Sequence, residues 1–409
     1  MTQKKQRSPL VIACFTIFLD LLGFGIIIPV NSFYVQSLGQ GPMVIAFLSA
    51  SYSLMQFVFG PFWGRLSDKI GRRPVILISV AASFIGHLIF GLSSTIIMIF
   101  AARLLAGFGN ANIGTAQAIV SDVTTSENRS RGMGMVGASI GLGFLFGPVI
   151  GIHAAQFDPQ YPALVAAGLA AVNFGLAYLY LPETRVLGSE AGSHRSGMPS
   201  IKTILSYMAR PNIGNIIKIS FLSTAAFAMF EVIVGLLMEH SFLPSESRNT
   251  HEHIAAAAKM TGYFLVVVGI TAIIIQGGLI GRLTKKFGEK FLFQAGLLLM
   301  GLSLGAIPVV AALGGYSAML ILAVPLAIGT GIMNPSLSSL LSKSAPKDQQ
   351  GAILGVNHSF SALGRVVGPG LSGILFESNV GAPFYVAAVV TMLAFFVSLG
   401  LKRAEDLPT

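Results

Sequence analysis

Long apolar runs broken by short polar stretches set the rhythm of this chain, and twelve of them reach the roughly 20 residues a helix needs to cross a bilayer. They cover 10–30, 43–62, 74–92, 96–119, 132–154 and 162–181, then 213–238, 260–280, 291–313, 317–341, 351–376 and 383–401. Between the sixth and seventh lies 183–212, polar and rich in Ser and Gly, carrying Arg185, Arg195, Lys202 and Arg210. The pattern predicts an all-α membrane protein of twelve helices in two six-helix bundles, 1–182 and 213–409, joined by a linker at 183–212. The first run contains Asp20 and Pro29 and lacks a small-residue cleavage site, so it reads as a retained helix and not a signal peptide.

The polar breaks repeat. GRLSDKIGRR, starting at Gly64, recurs as GRLTKKFGEK at Gly281, and GASIGLGFLFGPVIG at Gly137 recurs loosely as NHSFSALGRVVGPGLSG at Asn357. Each copy takes the equivalent place in its half. Parallel repeats of this kind imply a pseudo-two-fold axis along the membrane normal, with a substrate site between the halves near the midplane. In the first short break Gly64 and Gly71 permit a tight turn between antiparallel helices. Four cations, Arg65, Lys69, Arg72 and Arg73, surround one acid, Asp68.

Charge adds an orientation. Only 10% of the residues are charged and 53% are hydrophobic, against roughly 25% charged in a soluble domain. If both termini share one side, that side holds 21 of the 26 Lys and Arg, and the opposite loops hold two, Arg248 and Lys259. Both termini are therefore expected in the cytoplasm. The net charge of +10 is dealt out loop by loop and forms no basic face, which argues against nucleic acid as a partner. The single cysteine, Cys14, excludes an intrachain disulfide framework.

Ionisable groups at bilayer depth are costly and mark functional candidates. Asp20 lies about 16 Å along the first helix from Pro9, at mid-bilayer. A carboxylate there is either neutral or partnered, which is the condition a proton carrier must meet; the competing reading is a permanently paired acid that fastens helices. Its expected partner is Arg103, which heads a stripe of Arg103, Gly107, Asn110, Gly114 and Gln117 on one helical face. The stripe either lines a water-filled cavity or forms a polar seam between packed helices. In the second half Glu231 follows Lys218 by thirteen positions on the seventh helix, with a proton or substrate role standing beside an interfacial one. His358, Ser361 and Arg365 share a face of the eleventh helix. Arg365 aligns with apolar Phe144, and it either attracts an anionic or zwitterionic substrate or is bonded to helix carbonyls and Glu231. His87 reads as a packing residue. His251 and His253 read as solvated in an outer loop, with no further metal ligand beside them.

The motifs resemble a known family. The run 64–73 is similar to the second-to-third-helix loop signature of the major facilitator superfamily, and Arg103 in RLLAGFGNANIGTAQAIVSD to its fourth-helix signature. The run 137–151, ending in GPVIG, is similar to the fifth-helix glycine motif of antiporters. With FLDLLGFGIIIP in the first helix, these make the chain most similar to the drug/proton antiporter branch. A likeness to tetracycline antiporters is confined to the first half.

The resemblance implies alternating access, a bacterial inner membrane and a monomer. It also implies a conformational latch of Gly64, Asp68, Gly71, Arg72 and Asp122. Asp68 would meet the positive amino-terminal end of the eleventh helix only when the cytoplasmic side is closed. Lys285 stands where Asp68 would recur, so the latch is expected on one side only. Gly137, Gly141, Gly143, Gly147, Pro148 and Gly151 would let the fifth helix approach its neighbours and kink, a role that ordinary close packing serves as well.

No phosphate-binding loop, zinc-protease motif or nucleophile elbow occurs, so no enzyme activity and no cofactor are expected, and the energy must come from a gradient or from substrate concentration. The expected function is a proton-coupled antiporter that exports amphipathic drug-like small molecules. The expected mechanism is that protonation of Asp20 loosens its pairing with Arg103. Two rivals remain: a carrier of an anionic metabolite or lipid-like molecule, suggested by Arg365, and a non-transporting membrane sensor on the same fold.

Overall fold

The structure, a computed structural model, describes residues 9–124, 129–185, 201–244, 251–346 and 349–401. Among them twelve helices are long and apolar enough to cross a membrane, and no strand occurs. The first six are Pro9–Ser37, Pro42–Ile70, Arg72–Gly91, a fourth in three pieces (Ile96–Gly109, a 3-10 turn Asn110–Asn112, and Ile113–Asp122), Arg129–Ala155 and Tyr161–Tyr180. The second six are Pro211–Phe242, an eighth in three pieces (His251–Ile273, a π-turn Ile274–Leu279, and Ile280–Phe287), Glu289–Leu313, Gly315–Ser344, Gln350–Ser378 and Ala382–Leu399.

Every expected run is a helix, and several helices outlast their apolar run. The second continues from 62 to Ile70 through Arg65 and Lys69, because a cation in the last turn complements the negative end of the helix dipole. Gly64 therefore sits inside the helix and makes no turn. The whole reversal is left to Gly71, whose φ of 105° lies in the region that favours glycine; Gly288 repeats it at 77°. The linker region contains a short helix, Ile201–Ala209, before Pro211 opens the seventh helix. Arg195, Arg248 and the terminal cations Lys4, Lys5, Arg7, Lys402 and Arg403 lie outside the described residues.

The chain divides into two compact units: Met1–Val30 with Ser51–Met198, and Asn31–Ala50 with Pro199–Thr409. The core of the first joins Ile12, Ile17 and Leu21 to Ile76, Val80, Ile119, Val136 and Ala177 from the third to sixth helices. Lipid is as apolar as these side chains, so helices associate largely through close approach of small residues. A methyl on Gly86 would lie 2.7 Å from the Ala106 backbone, which locks the third helix to the fourth. In the second unit the ninth and tenth helices meet the same way, with Gly296 and Gly329 each facing the other's carbonyl.

Candidate functional site

Helix packing builds the site around Asp20. On the fifth helix Gly143, Gly147 and Gly151 recur every four residues and press against Leu21, Gly25 and Ile26 of the first. A methyl on Gly147 would come within 2.6 Å of the Gly25 Cα, so the two backbones touch just beyond Asp20. Gly137 has open space around it and Gly141 is exposed, so only three of the five motif glycines make this contact. Pro148 stays within a continuous helix, Arg129–Ala155.

Asp20 is 6% exposed, and among the described residues its two oxygens have one partner each. Asn173 of the sixth helix donates from Nδ2 to Oδ1 at 2.9 Å, and Asn112 of the fourth donates to Oδ2 at 2.9 Å. Both amides are themselves held. Asn112 also donates to Ser79 Oγ at 2.8 Å, and Asn173 to the Thr16 carbonyl at 3.3 Å.

The expected ion pair between Asp20 and Arg103 is not formed. Arg103, 3% exposed, lies over the Tyr52 ring at 4.8 Å and the Phe90 ring at 5.7 Å, and its Nε and Nη1 have no hydrogen-bond partner among the described residues. A desolvated cation over aromatic faces gains about 2 kcal/mol, which substitutes in part for a counter-ion.

The reason is the 3-10 turn. In a regular helix Asn110 and Asn112 would point about 200° apart. The tighter turn keeps both buried: Asn110 donates to Tyr52 Oη at 2.7 Å and Asn112 reaches Asp20. The polar stripe thus breaks into two clusters. Tyr52 gathers Arg103, Asn110 and Gln56, whose Nε2 donates to Tyr52 Oη at 3.4 Å, while Asn112 joins the acid. Gly107 is packed against the Tyr52 backbone, Gly114 is exposed and Gln117 is half-buried. His87 is buried beside Gly23, as a packing residue should be. Asn112, Asn173 and Tyr52 escaped the sequence reading. The signal was there for Asn173, a lone amide in the apolar sixth helix, because uncharged polar groups at that depth also need partners.

The loop signature is assembled within the first unit. Asp68 Oδ1 accepts from Arg72 Nη1 at 2.8 Å, and Arg72 Nε reaches Asp122 Oδ2 at 3.1 Å. Arg185 of the linker also donates to Asp68 Oδ1, at 2.6 Å. Glu183 accepts from the backbone N–H groups of Arg72 and Arg73 at 2.9 and 3.1 Å, capping the third helix, whose N-cap residue Gly71 has no side chain to do so.

In the second unit Ser361 and Ser220 are 2.9 Å apart, which ties the eleventh helix to the seventh. Arg365 is within electrostatic reach of both Glu231 and His358. Glu231 and Arg365 are half-buried, and His358 is exposed. His253 is not solvated: it opens the eighth helix, is 5% exposed, and lies 3.3 Å from Glu239, which also accepts from Gln36 at 2.9 Å. A helix extended by two turns toward the amino end brought it inside. The His251 side chain lies outside the described residues.

A family model described as Major Facilitator Superfamily matches residues 13–365 and 220–408. The chain is 30% identical over 405 residues to Multidrug resistance protein 2 of Bacillus subtilis (strain 168), covering 98% of this chain and 97% of that one. It is 26% identical over 409 residues to the class B tetracycline resistance protein of Escherichia coli, with 96% and 97% covered. Among solved structures, the nucleoside transporter NupG superposes with a TM-score of 0.74 at 14% identity, covering 98% of this chain and 100% of that one. The human organic anion transporter MFSD10 (TETRAN) gives 0.70 at 21%, covering 97% and 100%.

Proposed function

This chain belongs to the Major Facilitator Superfamily, and from that premise we propose that it is a proton-coupled antiporter exporting amphipathic, drug-like small molecules by alternating access. It is a multi-pass membrane transporter of small molecules and not an enzyme. The full-length likeness to relatives named for multidrug and tetracycline resistance supports drugs as the substrate class. The reading further takes the protein as a monomer of a bacterial inner membrane, with both termini in the cytoplasm and bundles 1–182 and 213–409 on either side of the linker 183–212.

The observation that carries proton coupling is the surroundings of Asp20. Both of its oxygens face amide donors, and those amides are oriented by Ser79 and Thr16. An ionised carboxylate is acceptor-only and fits this cage. A protonated one must donate, and each oxygen is met by an N–H. Taking up a proton weakens the acid as an acceptor and adds a donor to a cage whose amides already donate, so the O–H must find a new acceptor and the contacts to the fourth and sixth helices loosen. Substrate and proton compete when each favours a different arrangement of this junction. Arg103, held on Tyr52, keeps a positive field in the same bundle, and Glu231 with Arg365 supplies a second ionisable pair in the other. Because Arg365 is in the field of Glu231, an anionic substrate gains less from it than the bare cation suggested.

Counterflow in proteoliposomes under an imposed pH gradient tests the reading, with a panel of cationic, neutral and anionic amphiphiles. Accumulation that follows the gradient in the native protein and disappears in Asp20→Asn is expected. Accumulation indifferent to the gradient would return Asp20 to a structural role.

A further inference from the structure

The start of the linker is built into the signature loop. Three consecutive residues reach it. Glu183 caps the third helix through the N–H groups of Arg72 and Arg73, Thr184 Oγ1 donates to Asp122 Oδ2 at 3.4 Å, and Arg185 donates to Asp68 at 2.6 Å. The Glu183 carboxylate also accepts from the backbone N–H of Arg185 at 3.0 Å, so the capping residue sets the path of the chain that delivers the guanidinium.

We propose that Arg185 is the alternative partner of Asp68: the linker holds the latch acid while the cytoplasmic side is open, and must let go before that side can close. The inference rests on the reading of Asp68 as a latch. Asp68 Oδ1 already serves two guanidinium groups, from Arg72 and Arg185, and its side chain is only 15% exposed. Arg72 stays bound to the same unit through Asp122 and Ser67, so it is a fixed companion. Arg185 is the more accessible of the two, 29% exposed against 10% for Arg72, and Asp68 is its one ion-pair partner among the described residues. A helix amino end carries roughly half a positive charge, and a guanidinium carries a whole one in a rigid fork. The helix end therefore cannot displace Arg185 by charge alone, and release requires Arg185 to withdraw from the acid. Linker position and latch closure are thereby coupled through one carboxylate oxygen.

The test uses full-length protein in nanodiscs, with Cys14→Ser and spin labels at Lys69→Cys and Lys286→Cys, exposed and equivalent positions of the two repeats. Arg185→Gln is expected to raise the short-distance, cytoplasm-closed population about fivefold, the scale of a partly exposed ion pair. Arg185→Lys should keep most of the native distribution. In an Asp68→Asn background Arg185→Gln should change nothing. An unchanged distribution in Arg185→Gln overturns the proposal, and so does an equal shift with and without Asp68. If Asp68→Asn by itself leaves the distribution and transport intact, the latch reading fails, whatever Arg185 does.

Discussion

In the first half a loop cation, Arg72, meets an acid at the end of the fourth helix, Asp122, at 3.1 Å; in the second half the equivalent loop position is Glu289, and it meets Lys343 near the end of the tenth helix at 2.8 Å. The bridge is conserved between the halves and its polarity is inverted. The helix contacts compare in the same way. Gly143 and Gly147 press on the first helix at Leu21 and Gly25, and Gly364 and Gly368 press on the seventh at Phe221 and Ala225. Counting back five residues from Gly25 gives Asp20, and from Ala225 gives Ser220. The first is a buried acid between two amides; the second is a hydroxyl 2.9 Å from Ser361. The repeat has preserved where backbones touch and left the polar groups free to diverge. Packing in lipid demands small residues at fixed places, whereas a buried polar group needs only some satisfied partner.

The largest effect should come from erasing that divergence. Asp20→Asn should lower gradient-driven transport about a hundredfold or more, the scale of a lost proton-transfer group. Adding Ser220→Asp should not restore it, because among the described residues Ser220 meets a hydroxyl and not two amides; counterflow of single and double variants decides this. Next come the shared contacts. Gly147→Ala and Gly368→Ala should each destabilise the folded protein by about 1–3 kcal/mol through overpacking, read as earlier thermal unfolding in detergent, while Gly114→Ala, with open space around it, should not. The inverted bridge offers a subtler test. Arg72→Glu and Asp122→Lys should each impair transport, and together recover part of it, with a coupling energy of about 1 kcal/mol in a double-mutant cycle. The smallest effect belongs to Lys343→Gln. Its side chain is 56% exposed, so thermal stability should fall by less than about 1 kcal/mol.

The twelve helices, their order and the repeat were legible because a bilayer requires long apolar runs whatever the neighbours are. The same logic located Asp20 and Arg103 as costly residues, but it could not pair them. Opposite charges on neighbouring helices suggested a bridge, and the 3-10 turn at Asn110–Asn112 replaced the guanidinium with an amide at the acid. Gly64 and Gly71 looked alike as turn residues; only one has a positive φ. Arg185 read as one more linker cation, since nothing local says that it folds back 117 positions onto Asp68.

Hydrophobic patterning, loop charge and motif spacing by themselves determined the class of protein, the number of spans and the presence of a buried acid. These depend on each residue's own exchange between water and lipid. Which amide reaches that acid, which ring lies under Arg103 and which cation occupies Asp68 were decided only by tertiary structure. Such contacts depend on the rotation and axial offset of helices far apart in the chain, where a change of one residue, about 100° of turn, selects a different partner.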